Sequence, residues 1–252
     1  MTAKKYIYGR YSYKTDIGKV RLNNEDRALA MTNTRGNILL VVCDGMGGQN
    51  KGDLASQIAI DTVKAAFEEK DKFSHKFFAK RWVSNVIRKA NSAIFRQASS
   101  NESYQGMGTT ITLVLIVNDY MIVAQVGDSR AYTFHNRNLT QITEDQTYVQ
   151  YLYRIGEITK EEIATHPKRH VLMNALGIYP SLDVDVKAHP YLGDTLLLCS
   201  DGLYNNVPDK DLFSILKGSD TPDQKVNELV SLANVNGGSD NIAVVIWEAD
   251  AQ

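Results

Sequence analysis

Two apolar rhythms divide this chain. One is short and dense, rich in Val, Ile and Leu. The other is longer, with apolar positions every three or four residues. The first predicts strands and the second helices. Residues 6–13 are aromatic and β-prone and predict a first strand. Residues 36–43 read as a buried strand ending at Asp44. A helix is expected from about Gly52, with Leu54, Ile58, Val63 and Phe67 at near-helical spacing. A second helix fits Phe78, Trp82, Val86, Ala90 and Ile94, each four residues after the last, as one stripe facing a sheet.

Residues 110–117 and 121–126 flank the short turn Asn118-Asp119, which predicts an antiparallel hairpin. Residues 131–134 and 139–142 flank a polar turn and predict another. From about 143 to 180 the pattern becomes polar and mixed, with a short helical stretch near 160–164. This segment reads as a flap insertion. Strands return at 184–187, 195–199 and 241–247, with helical stretches near 209–216 and 222–233. Helices thus come in adjacent pairs and strands in hairpins. The pattern is α+β, with helix pairs covering antiparallel sheets.

Bulk properties narrow the function. The 252 residues are 43% hydrophobic and 23% charged, enough for one folded core. Residues 1–252 are expected to form one domain. With 28 basic and 29 acidic residues the net charge is −1, which makes nucleic acid a poor partner. No apolar run approaches the roughly 18 residues of a membrane helix, and the start lacks a signal peptide's apolar stretch. The expected location is the cytoplasm, with no membrane association. Cys43 and Cys199 lie inside apolar runs and read as buried thiols in a reducing compartment. No apolar helix face is left over, so a monomer is expected.

Five acidic positions sit where strands meet loops. Asp44 opens Asp-Gly-Met-Gly-Gly48, and Asp128 follows residues 121–126. Asp201 follows 195–199, Asp240 precedes the last strand, and Asp26 closes a loop after the first. Any one of them is an ordinary turn residue. Together they suggest more. In an antiparallel sheet the C-terminal end of one strand and the N-terminal start of its neighbour share an edge. Four carboxylates can therefore converge on one rim, joined by Asp26. Their repulsion calls for hard divalent cations, and an all-oxygen set suits Mg2+ or Mn2+. Glycines at 45, 47 and 48 would let backbone approach a metal or phosphate closely.

These strings resemble the metal-dependent protein phosphatases of type 2C in their compact bacterial form. The matches run in order: 15–26 (TDIGKVRLNNED), 42–48 (VCDGMGG), 108–110 (GTT), 126–132 (VGDSRAY), 198–203 (LCSDGL) and 237–241 (GGSDN). The resemblance implies a four-layer α-β-β-α sandwich, two antiparallel sheets flanked by helix pairs, with the flap inserted. It implies hydrolysis of phosphoserine and phosphothreonine on proteins by a hydroxide shared between two of two to three Mn2+ or Mg2+ ions. Asp44 would bridge the two metals, with the Gly45 carbonyl on the second and Asp201 and Asp240 completing the first. Glu25 and Asp26 would reach the metals largely through water. Asp128 and Asp201 would hold a third ion, and Arg21 would grip the substrate phosphate. Catalysis would rest on Arg21, Asp44 and Asp201.

Two positions depart from the family pattern. Met46 stands where some relatives carry histidine, and Asp145-Gln-Thr147 where many carry Asp-His-Ser. No general acid is assigned. Arg169 and His170, in a segment that resembles the family's flap exit, read first as a solvated basic patch and second as a contact for phosphoprotein substrates. The expected partners are phosphoprotein substrates and an opposing Ser/Thr kinase. Two rivals are a catalytically dead phosphoprotein-binding scaffold and a phosphatase dedicated to one regulator.

Overall fold

The structure, a computed structural model, describes residues 7–47 and 51–250. Tyr6 and Gly48 therefore lie outside the described residues. One five-stranded sheet has the order β1 (Gly9–Asp16), β12 (Ile242–Ala249), β11 (Thr195–Cys199), β8 (Arg130–His135), β9 (Asn138–Gln141). The other has the order β10 (Asp185–Pro190), β7 (Tyr120–Val126), β6 (Ile111–Val117), β3 (Ile38–Cys43), β2 (Arg27–Thr32). All pairings are antiparallel. A two-residue pair, β4 (Gly45–Met46) with β5 (Gly108–Thr109), lies beside them.

Strand alternation builds the layers. In β3, Ile38, Leu40 and Val42 join a core with Leu196, Leu198, Val245 and Trp247 of the opposite sheet. The intervening Leu39, Val41 and Cys43 face helices α1 (Lys51–Glu68) and α2 (Lys76–Ser100). Likewise Ile242, Val244 and Ile246 pack under α6 (Asp209–Lys217) and α7 (Pro222–Val235). Both faces of these strands are buried, so their sequences read as dense apolar runs. The result is the expected α-β-β-α sandwich. Among the described residues no helix is long and apolar enough to cross a membrane.

Five elements differ from the sequence pattern. The first strand runs to Asp16, beyond the predicted end. Strand β2 has no dense run because only Leu29 and Ala30 are buried on this edge. In α2 the buried stripe is Ala79, Val83, Val86, Ile87, Ala90 and Ile94, while Phe78 is 59% exposed. Four-residue steps drift about 40° each on a helix of 3.6 residues per turn, which carries Phe78 off the face. In the flap, α3 (Tyr148–Arg154) precedes α4 (Lys160–Ile163). Only Val149 of α3 is buried, so no stripe announces it, although Thr147 caps it by accepting from Gln150 N at 3.2 Å. A single turn, α5 (Asp201–Tyr204), also follows β11.

Candidate metal centre

All five predicted aspartates lie at one end of the sandwich, but the rim belongs to both sheets. β3 and β7 each pair antiparallel with β6 and therefore run parallel to each other. Asp44 and Asp128 follow their C-terminal ends. Asp26 immediately precedes β2, which runs antiparallel to β3. In the other sheet β11 and β12 are antiparallel neighbours, so Asp201 and Asp240 share an edge. The expected single-sheet edge is thus a meeting of two sheet ends.

The carboxylates feel one another. Asp26, 1% exposed, is pushed up to about 8 by burial, with Asp201 and Asp240 adding to the rise and a Ser200 hydrogen bond opposing it. Burial also lifts Asp44 well above the carboxylate range, reinforced by Asp26, Asp201, Asp128 and Asp240. Asp128 rises to about 7 through burial and then Asp201. Asp201 rises to about 6 through burial and Asp240, against the pull of Arg21 and Arg130. Raised proton affinity here reflects burial first and the neighbouring carboxylates second.

Polar residues inside the family-like strings hold this rim. Thr110 Oγ1 accepts from Asp44 N at 3.0 Å, and Asp44 O accepts from Thr110 N at 2.8 Å and Thr109 Oγ1 at 2.9 Å. Thr110 Oγ1 also lies 2.8 Å from Ser129 Oγ, beside Asp128. Ser200 Oγ donates to Asp26 Oδ2 at 2.6 Å and accepts from Ala243 N at 2.8 Å. Asn241 Oδ1 accepts from Glu25 N at 2.9 Å, while its Nδ2 donates to Ile17 O at 2.9 Å and Asn23 O at 2.8 Å. The strings contain these residues, but only side-chain geometry reveals their partners.

Gly45 and Gly52 bring backbones into contact. Gly45 N donates to Glu25 O at 3.2 Å. A Cβ at Gly45 would lie 2.3 Å from Gly52 O, and one at Gly52 would lie 2.4 Å from Gly45 C and 2.6 Å from Glu25 Oε2. Gly52→Ala should therefore lower stability by about 1–3 kcal/mol or more, the usual cost of forced overpacking. The urea midpoint checks this, and an unchanged midpoint would show that the contact relaxes freely.

Arg21 reaches the rim by ion pairing. Its Nη2 lies 2.7 Å from Asp240 Oδ2, and that bond leads the causes that raise its pKa. Asp201 and Asp44 add to the rise. Among the described residues, no three His, Cys, Asp or Glu side chains are drawn tightly enough to hold an ion unaided. The donors are nonetheless all oxygen, and Arg21 offsets only part of their charge, so they fit a hard divalent cation.

The flap base is tied to the same rim. Arg130 pairs with Asp145 through Nε–Oδ1 at 2.9 Å and Nη2–Oδ2 at 2.6 Å, and stacks 3.5 Å above Tyr204. Gln146 bonds Gly127 in both directions at 3.0 Å. Asp145-Gln-Thr147 therefore anchors the flap beside Asp128 and caps α3. Further along, His170 is held below its ordinary value by burial and then Arg169, while Asp240 opposes the shift. His170 thus lies within the field of the carboxylate rim. Of the other histidines, His75 caps α2, its Nδ1 accepting from Phe77 N at 3.2 Å.

Known proteins share both the sequence and this architecture. The family model described as protein phosphatase 2C matches residues 18–228. The serine/threonine phosphatase stp of Listeria monocytogenes is 38% identical over 239 residues, covering 94% of this chain and 95% of the relative. The S. agalactiae serine/threonine phosphatase superposes with a TM-score of 0.91 at 34% identity, over 96% of this chain and 100% of that one. The catalytic domain of the serine threonine protein phosphatase PstP, solved in complex with two manganese ions, superposes at 0.85 with 33% identity, over 96% and 99%. With carboxylates from both sheets meeting at one rim and the family model spanning most of its length, this chain belongs to the protein phosphatase 2C family.

Proposed function

We propose that this chain removes phosphate from phosphoserine and phosphothreonine side chains of proteins, using two to three Mn2+ or Mg2+ ions held at the rim. One observation carries the reading. Carboxylates from both sheets, Asp26, Asp44, Asp128 and Asp201, share one electrostatic environment and are all pushed toward protonation. Asp44, most surrounded by the others, would be the ligand shared by two ions, and Asp201, Asp240 and the Gly45 carbonyl would complete their holding. Glu25 and Asp26 orient surrounding water. Asp128, whose proton affinity Asp201 raises, would with Asp201 suit a third ion. When bound, the metals supply a hydroxide nucleophile at neutral pH and neutralise charge on the phosphate.

Arg21 would bind and orient the phosphate through its planar fork, which in this structure pairs with Asp240. Residues 1–252 act as one catalytic domain, with the flap at about 143–180. The reading extends to a monomer acting in the cytoplasm on products of a Ser/Thr kinase.

The test is phosphate release from a phosphothreonine peptide. It should require Mn2+ or Mg2+ and stop with EDTA; metal-independent release would sink the proposal. Arg21→Ala should raise KM by about 10–100-fold with a smaller change in kcat, since a charge-assisted hydrogen bond contributes about 1.5–3 kcal/mol. Unchanged steady-state kinetics would remove Arg21 from the site.

A further inference from the structure

Two apolar side chains stand in solvent on either side of Arg21. Leu22 is 91% exposed and Val20 65%. Single exposed apolar residues are ordinary on protein surfaces and require no function. These two differ because the loop carrying them is pinned at both ends. Lys19 N donates to Gly238 O at 2.8 Å, and Gly18 N donates to Asp16 Oδ1 at 2.9 Å. Asn241 Nδ2 ties down Ile17 O at 2.9 Å and Asn23 O at 2.8 Å. Gly18 has φ +78°, and a Cβ there would lie 2.3 Å from Asp240 O. Arg21 itself is fastened to Asp240 at 2.7 Å. The segment is held with Val20 and Leu22 turned outward.

We propose that Val20 and Leu22 form a subsite for apolar residues adjoining the phosphorylated serine or threonine of the substrate. The inference rests on the phosphatase reading of the rim. A phosphate seated at Arg21 brings the substrate chain over its immediate neighbours. Successive Cα atoms lie about 3.8 Å apart, so residues one or two positions from the phosphoresidue come within reach of Val20 and Leu22. Apolar side chains there remove water from both partners. A loop already tied in place loses little freedom on binding, so more of that gain reaches the affinity. Acidic side chains at the same positions would exchange full hydration for contact with hydrocarbon, and would compete with the phosphate for Arg21.

The experiment compares three phosphothreonine peptides with Mn2+ present, carrying leucine, serine or glutamate at the positions flanking the phosphoresidue. p-Nitrophenyl phosphate is run alongside. The leucine peptide should show kcat/KM about tenfold above the serine peptide, a difference of about 1.4 kcal/mol, and the glutamate peptide the lowest value. In the double variant Val20→Ser, Leu22→Ser the leucine preference should fall below about twofold, chiefly through a higher KM for the leucine peptide. Both side chains face solvent, so the melting temperature should stay at the wild-type value. Equal kcat/KM for the three peptides would overturn the subsite, as would a double variant that keeps the preference. In either case hydrolysis of p-nitrophenyl phosphate would leave the phosphatase reading standing. Failure to hydrolyse any peptide or p-nitrophenyl phosphate would overturn that reading and this inference with it.

Discussion

Replacing Asp44 with asparagine should abolish metal-dependent turnover and raise the melting temperature of the metal-free protein. The two effects have one cause. Asp44 is pushed well above the carboxylate range by burial and by four other aspartates. That crowding suits a cation and is unfavourable without one. Asparagine keeps the shape and removes the charge. Loss of a partner that merely supports a metal ligand costs about 10–100-fold in affinity or activity, so loss of a shared ligand should exceed about 100-fold. In EDTA, relief of repulsion worth about 1 kcal/mol would raise the midpoint by about 2–4 °C for a chain of this size. Peptide turnover with Mn2+ and calorimetry in EDTA read the two effects. A variant with wild-type rates would remove Asp44 from the centre. A lower midpoint would mean that the Asp44 carboxylate makes net favourable contacts.

The second large effect is on pH and metal together. The metal-free protein should lose stability as pH rises from about 4 toward about 8. Unfolded aspartates release their protons near pH 3.9 or so. Folded Asp201, Asp128 and Asp26 hold theirs to about 6, 7 and 8. Between those limits the folded state binds more protons than the unfolded, so stability falls with rising pH. The contribution is complete below the unfolded value and lost stepwise through the folded ones. Cations replace the protons, so Mn2+ should stabilise more at pH 8 than at pH 5.5. At about 100 times its Kd the gain is about 2.7 kcal/mol, or about 5–11 °C in midpoint. Thermal scans at both pH values, with Mn2+ and with EDTA, measure this. A metal-free midpoint that climbs from pH 5.5 to 8, or an equal Mn2+ increment at both, would contradict it.

Much of the fold and of the rim is legible in the amino-acid sequence. Dense runs such as 38–43 and 242–247 mark strands buried on both faces, and the Asn118-Asp119 turn marks a hairpin. The aspartates stand out as strand-end residues. What the linear pattern hides is depth and partnership. Strand β2 lies on an edge with two buried residues and so has no run to notice. Helix α3 buries only Val149 and is recognisable chiefly by its Thr147 cap. Strand order alone suggests a rim along one sheet, because antiparallel neighbours within a sheet are the simplest way to gather strand ends. The sandwich gathers them from two sheets, which depends on how the sheets are stacked. Asn241 and Ser200 are equally hidden. Their roles come from bonds to residues 216 and 174 positions away.

Anomalous scattering from a crystal equilibrated with Mn2+ tests the central claim most directly. Two peaks flanking the Asp44 carboxylate are expected, one of them reached by Asp201 and Asp240 as well. Manganese bound only elsewhere on the surface, with Asp240 still paired to Arg21 and no peak beside Asp44, would contradict the account.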